Sequence, residues 1–158
     1  MDDGGPNIDV GCGNKRYTSK IPDCIGVDPN LEFEGTKNTP DICLGAENLE
    51  SFKDSQFANM FLLDTLEHSR DPKRAVREAS RILKPRGCLV IVDPNDFSLF
   101  IARMLALRFS DAMRGNPDHI NRFSKEDLLG LLSPFFVLEK MKRRFIFDGY
   151  KFRSNKMV

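Results

Sequence analysis

Short apolar runs alternate along this chain with turn residues and with stretches of helical periodicity, the pattern of repeated βαβ units. Five runs predict strands: Asn7–Val10, Cys24–Asp28, Asp41–Leu44, Phe57–Leu63 and Cys88–Val92. They read as buried on both faces, as parallel strands usually are. Between the fourth and fifth runs, Asp71 to Leu83 predicts a helix. Asp71 suits the N-cap and Pro72 the first helical position. Ala75, Val76, Ala79, Ile82 and Leu83 then fall on one face, and Pro85 and Gly87 end the run. A second helix is expected from Ser124, where Ser124 and Asp127 resemble a capping box. Its apolar face uses Leu128, Leu129, Leu131 and Leu132, and Ser133–Pro134 ends it. Phe135 to Leu138 and the stretch around Phe145 to Phe152 predict two final strands. The whole predicts a doubly wound, mostly parallel α/β sheet.

The stretch from Phe97 to Met113 breaks this rhythm. Phe97, Leu99, Phe100, Ile101, Met104, Leu105, Leu107 and Phe109 are too apolar for a plain loop. It follows a strand's carboxyl end, where open α/β sheets bind ligands. Two readings stand: a helix packed on the sheet, or a lid that shapes a substrate pocket. Residues 97–123 are therefore carried as a candidate lid insertion within one domain, 1–158.

Composition narrows the class. A chain of 158 residues favours one domain with a real core. Hydrophobic residues are 41% and charged residues 30%, and the net charge of +1 gives no global field to recruit nucleic acid or membrane. The basic residues between Lys140 and Lys156 read as a solvated strand face rather than a nucleic-acid footprint. Cys12, Cys24, Cys43 and Cys88 show no C-x-x-C spacing and read as small buried hydrophobes in a reducing compartment. With no membrane-length apolar run, a cytoplasmic location is expected.

The first strand runs into Asp9-Val10-Gly11-Cys12-Gly13-Asn14. Glycines there let a ligand approach the backbone, though many strand-to-helix turns use them for packing alone. The second strand ends in Gly26-Val27-Asp28, which places a carboxylate nineteen residues past Asp9. An acid so placed can accept both hydroxyls of a ribose; the alternative is that Asp28 only caps the Pro29–Asn30 turn. Together the two features favour a nucleoside ligand. Arg16 stands where a dinucleotide fingerprint needs its third glycine, and the Walker pattern is absent. A ribose ligand without phosphates, such as S-adenosylmethionine, fits better.

At these residues the chain resembles the class I S-adenosylmethionine-dependent methyltransferases, in particular the small-molecule methylating group. Ile8-Asp9-Val10-Gly11-Cys12-Gly13 is similar to the family's first motif, and Gly26-Val27-Asp28 to its ribose-binding acid. Gly45-Ala46-Glu47-Asn48-Leu49 resembles the loop beside the adenine, and Leu63-Asp64-Thr65-Leu66-Glu67-His68 the fourth-strand motif. Arg81 to Gly87 resembles the turn into the fifth strand, and His119 to Ser124 a segment before the late helix. The resemblance implies a three-layer Rossmann-like fold with S-adenosylmethionine as cofactor. It implies cofactor contacts from Asp9, Val10, Gly11, Cys12 and Gly13, from Asp28, Pro29 and Asn30, from Gly45, Ala46 and Glu47, and from Leu63, Asp64, Thr65 and His68. Two departures stand out. Gly45 replaces an acid that typically holds the adenine amino group, and Arg86 replaces a common turn glycine, without expected consequence. No N-terminal helices precede the first strand, so an open site is expected, or one closed by a second copy or a partner subunit.

The implied reaction is in-line attack by an O, N, S or C nucleophile on the cofactor's methyl group, with a small molecule as acceptor. The enzyme then mainly supplies alignment. A base is needed only if the nucleophile keeps a proton, and His68 and His119 are the two candidates. No Cys/His spacing implies a metal. Two other functions remain open: a regulatory subunit that binds S-adenosylmethionine without catalysis, and a nicotinamide-dependent oxidoreductase on a similar sheet.

Overall fold

Asn7–Val10 is buried at every position and forms β1, an inner strand of a six-stranded sheet. The structure, a computed structural model, describes residues 5–30, 38–94, 120–144 and 147–157. The other strands are β2 (Cys24–Val27), β3 (Phe57–Leu63), β4 (Leu83–Pro94), β5 (Phe136–Arg143) and β6 (Phe147–Ser154). Their spatial order is β2-β1-β3-β4-β6-β5. The first four run parallel, and β6 is antiparallel to both β4 and β5. The predicted mostly parallel sheet is thus present, with a reversed strand near one edge.

Parallel pairing puts the carboxyl ends of β1, β2, β3 and β4 on one edge. Val10 lies opposite Val27 on one side and Leu62 on the other, and Leu63 lies opposite Val92. Every loop that leaves those ends therefore starts from the same side of the sheet. The β1–β2 connection carries only a one-turn 3-10 helix, Thr18–Lys20, consistent with its shortness.

Helix α1 (Pro72–Ile82) forms where periodicity placed it. The Asp71 side chain accepts from the Arg74 amide at 2.9 Å, and proline fills the first turn, where its missing N–H costs nothing. Ala75, Val76, Ala79 and Ile82 are buried with Ile8, Val10, Met60, Leu62, Leu89 and Ile91 of the sheet in one core. Full burial of each Val, Leu or Ile contributes roughly 1.5–3 kcal/mol. Helix α2 (Lys125–Leu132) starts with the expected reciprocal box between Ser124 and Asp127, and Leu128 and Leu132 join the same core.

Arg81 fastens α1 to the preceding loop. Its Nη1 donates to the Phe52 carbonyl at 2.8 Å and Asp54 at 2.7 Å, and its Nη2 to the Leu49 carbonyl and Glu78 at 2.8 Å each. The basic residues of the last two strands are partly absorbed in the same way. Lys151 and Arg153 pair with Glu139, and Lys156 Nζ donates to the Arg81 and Leu83 carbonyls.

Three expectations need correction. The run Asp41–Leu44 does not form a strand; only a single parallel bridge joins Val27 to Ile42. The reason is one contact from β2: Asp41 Oδ2 accepts the Gly26 amide at 2.8 Å, so a side chain takes the place of a strand carbonyl. Strand β4 begins at Leu83, not Cys88. Leu83 pairs with Phe57 before the register jumps to Asn59 and Cys88, and the intervening Lys84-Pro85-Arg86-Gly87 is an outward bulge rather than a stop. Cys43 is exposed rather than buried, whereas Cys12 and Cys88 are buried as expected. The candidate lid lies outside the described residues from 97 to 119, as does His119. Among the described residues no helix is long and apolar enough to cross a membrane.

Candidate active site

The loop after β1 is shaped by two glycines with left-handed backbones, Gly11 at φ 77° and Gly13 at φ 50°. They serve different purposes. A Cβ at Gly11 would meet Thr65 Oγ1 at 2.4 Å and Thr65 Cγ2 at 2.5 Å. The Thr65 side chain closes over this residue, and its hydroxyl donates to the Val10 carbonyl at 3.0 Å. A Cβ at Gly13 would meet nothing within 4 Å. Gly11 is thus a packing glycine, and Gly13 borders open space.

Asp28 faces the same loop. Its Oδ2 accepts the Gly13 amide and its Oδ1 the Asn30 amide, both at 2.8 Å. It is buried, and each oxygen retains a further acceptor site. A carboxylate fixed by two amides, with a lone pair left on each oxygen, is equipped to accept a vicinal diol. Asp28 caps its turn, as one reading of the sequence had it, through the bond from the Asn30 amide.

Other residues of the first motif lie beneath the loop. Asp9 is buried, and its Oδ2 accepts from the Thr18 hydroxyl at 2.5 Å. Burial chiefly, then the Asp28 charge, outweighs the Thr18 bond and raises its carboxyl above the ordinary range. Val10 is core. Cys12 Sγ lies 3.0 Å from where a Gly26 Cβ would stand, and burial foremost pushes its thiol up to about 12. Such a thiol is no nucleophile at neutral pH. On the far side of the loop, Lys15 Nζ donates to Asp41 Oδ1 at 2.5 Å.

The loop at Gly45 is tied to the end of β3. Glu47 Oε1 accepts from the Ser69 hydroxyl and the Arg70 amide at 2.7 Å each, and from the Asp71 amide at 3.3 Å. Glu47 Oε2 lies 3.0 Å from where a Gly45 Cβ would stand. The Glu47 carboxylate stands beside the position of the missing acid, and one of its oxygens is committed to the turn before α1.

After β3, Asp64 adopts φ 61° and Thr65 leads into a 3-10 turn, Leu66–His68. Asp64, Glu67 and His68 offer ligand atoms that all lie within 4.8 Å of one another. Asp64 is exposed, His68 half-buried and Glu67 buried. Asp93, from the carboxyl end of β4, joins them. Among the described residues no N–H or hydroxyl group donates to either oxygen of Glu67 or of Asp93; the two carboxyls interact with each other, and Glu67 also with Asp64. Burial foremost, then contact with Asp64 and the charge of Asp93, pushes Glu67 up to about 10. Burial likewise raises Asp93 to about 6.

Residues 8–91 match the model of the methyltransferase domain family. The chain belongs to that family. Two uncharacterised proteins of Methanocaldococcus jannaschii are similar to this methyltransferase domain. One is 31% identical over 63% of the chain and 49% of its own length. The other is 24% identical over 94% of the chain and 62% of its own length. The chain thus spans about half of one curated relative and less than two thirds of the other. Among solved structures, a methyltransferase from Thermotoga maritima described as S-adenosylmethionine-dependent superposes with a TM-score of 0.72 at 23% identity, covering 99% of the chain and 84% of its own. One from Methanosarcina mazei gives a TM-score of 0.72 at 18% identity, covering 98% and 94%. At such identities the likeness establishes the Rossmann-like fold.

On the methyltransferase domain the predicted residues fall into two sets. Gly11, Gly13, Asp28, Pro29, Asn30, Asp64, Thr65 and His68 lie at the carboxyl edge of β1, β2 and β3, whereas Asp9, Val10 and Cys12 are buried beneath it. Leu63 closes β3, and Gly45, Ala46 and Glu47 flank the edge through the bonds of Glu47 to the turn after β3. Sequence reasoning missed Glu67 and Asp93. The spacing Asp64-x-x-Glu67-His68 is the signal in the sequence, and it differs from the Cys/His spacings of common metal sites.

Proposed function

We propose that this chain binds S-adenosylmethionine at the carboxyl edge of β1 and β2 and transfers its methyl group to an O, N, S or C nucleophile of a small polar molecule. The observation that carries the reading is the pair formed by Asp28 and Gly13: a buried carboxylate with an acceptor site left on each oxygen, beside a loop residue that opens onto free space. A nucleoside lacking phosphates fits that pair, because the loop has no third glycine and no Walker lysine to cradle a pyrophosphate. When bound, the donor supplies an already activated methyl group on a sulfonium.

The chain's own residues then have limited work. Asp28 accepts the ribose hydroxyls, and the backbone at Gly11 to Gly13 lies against the ligand. Thr65 holds the loop by its bond to the Val10 carbonyl. Catalysis by such a site is mostly alignment of the acceptor with the methyl group. An acceptor that keeps a proton needs a base, and His68, in the turn that follows β3, is the first candidate, with His119 the second.

The test is calorimetric. Titration of the folded chain with S-adenosylhomocysteine is expected to show one site, and Asp28→Ala is expected to weaken it at least about a hundredfold, given two charge-assisted bonds of about 1.5–3 kcal/mol each. No heat from the wild-type chain, or equal affinity in the variant, overturns the reading.

A further inference from the structure

Glu67 stands out among the described side chains. It is 4% exposed, and among the described residues no N–H or hydroxyl group donates to either of its oxygens. A buried carboxyl without a donor is costly, and it persists where something neutralises it. Around it stand Asp64, Asp93 and His68, drawn from the carboxyl ends of two neighbouring strands. A proton shared among the acids accounts for the carboxyl groups alone.

We propose that Asp64, Glu67 and His68 bind one divalent cation of the Mn²⁺ class, with Asp93 adding negative charge behind Glu67. Three arguments converge. First, the ligand atoms already lie within 4.8 Å of one another. Ligands about 2.1 Å from one octahedral ion are separated by about 3 Å when adjacent and about 4 Å when opposite, so small rotamer changes close the shell. Second, the burial is graded. Glu67 forms a dry floor while Asp64 and His68 stand towards solvent, which gives the ion an entry path. Third, two carboxylates and one imidazole suit Mn²⁺ better than the all-oxygen shells of Ca²⁺ and Mg²⁺ or the thiolate-rich shells of structural zinc. Three protein ligands also leave positions for water or for an oxygen of a bound molecule. The site stands on its own geometry and does not depend on the methyl-donor reading; it adds to that reading a candidate anchor for an acceptor bearing a hydroxyl or carboxylate, and with the ion bound His68 is a ligand and no longer a candidate base.

The experiment uses the whole chain, treated with chelator and returned to chelator-free buffer. It is titrated with MnCl₂ while free Mn²⁺ is followed by electron paramagnetic resonance and thermal unfolding is recorded in parallel. One Mn²⁺ per chain is expected, with a midpoint about 5–10 °C higher at a hundredfold excess over Kd. Glu67→Gln is expected to weaken Mn²⁺ at least about tenfold. Its metal-free midpoint should equal or exceed that of wild type, because a neutral amide can donate to the surrounding acids. Asp64→Asn, at the exposed mouth, carries the same test should the Glu67 variant fail to fold. Absence of saturable Mn²⁺ uptake, or unchanged affinity in both variants, overturns the proposal and leaves a proton-sharing acid cluster. Calorimetry with S-adenosylhomocysteine on the chelated chain reads the donor site separately, so failure of one reading is distinguishable from failure of the other.

Discussion

Gly11→Ala and Gly13→Ala are matched perturbations whose consequences should diverge. Both residues have positive φ, so alanine at either position carries a left-handed penalty of about 1–2 kcal/mol. Both substitutions recover about 0.4–1 kcal/mol by restricting the unfolded chain. What differs is the surrounding space. At Gly13 a Cβ meets nothing within 4 Å, so the net cost should stay near 1 kcal/mol. At Gly11 it meets Thr65 Oγ1 at 2.4 Å and Cγ2 at 2.5 Å. Thr65 must move, which adds about 1–3 kcal/mol of overpacking and loses its bond to the Val10 carbonyl, about 1 kcal/mol more. Gly11→Ala should therefore cost about 3–4 kcal/mol in urea unfolding, against about 1 kcal/mol for Gly13→Ala.

Binding should follow a different order. A methyl group at Gly13 projects into the space assigned to the donor, so Gly13→Ala should lose at least about tenfold in S-adenosylhomocysteine affinity while remaining folded. Adding Thr65→Ala to Gly11→Ala removes the two closest contacts and leaves only the Thr65 Cβ at 3.0 Å. The double-mutant cycle should then show a favourable coupling of at least about 1 kcal/mol. Equal destabilisation by the two glycine variants, or an additive cycle, would refute the assignment of Gly11 to packing and Gly13 to the ligand.

Three further outcomes are expected. Arg81→Lys keeps the charge but loses the planar fork that reaches the Leu49 and Phe52 carbonyls, and should cost about 2 kcal/mol in urea unfolding. Glu139 is held at about 2 by Arg153 first and Lys151 second, below its usual 4.5, so its contribution is present above pH 4.5 and is lost as pH falls towards 2. Glu139→Gln should therefore unfold with a shallower acid dependence in that window, and high salt should shrink the difference because the group is on the surface. Arg86 adopts φ 59°, so Arg86→Gly relieves a left-handed penalty larger than the entropy glycine adds to the unfolded chain. The expected gain is about 0.5–1 kcal/mol, a thermal midpoint higher by about 1–4 °C.

That last position shows where sequence reasoning loses its grip. Arg86 stands at a common turn glycine, and the sequence alone suggested no consequence; the backbone of the β4 bulge shows one. Local signals were legible wherever a residue's role is set by its immediate neighbours. Asp71 with Pro72 and Ser124 with Asp127 each gave the right helix start, because capping chemistry acts within a few residues. Asp41–Leu44 misled because its strand propensity is overridden by a single long-range contact, the Asp41 carboxylate on the Gly26 amide. The acid cluster lies at the same limit. Asp64, Glu67 and His68 sit within five residues, but the sequence does not say that Glu67 is buried among other acids or that Asp93 arrives beside it from the next strand. Those facts depend on the register that sets Leu63 against Val92, which no single segment encodes. A charge cluster made by strand register is therefore where a function beyond the proposed methyl-donor site is best sought: the register forces the carboxylates together, and a bound cation would relieve their repulsion.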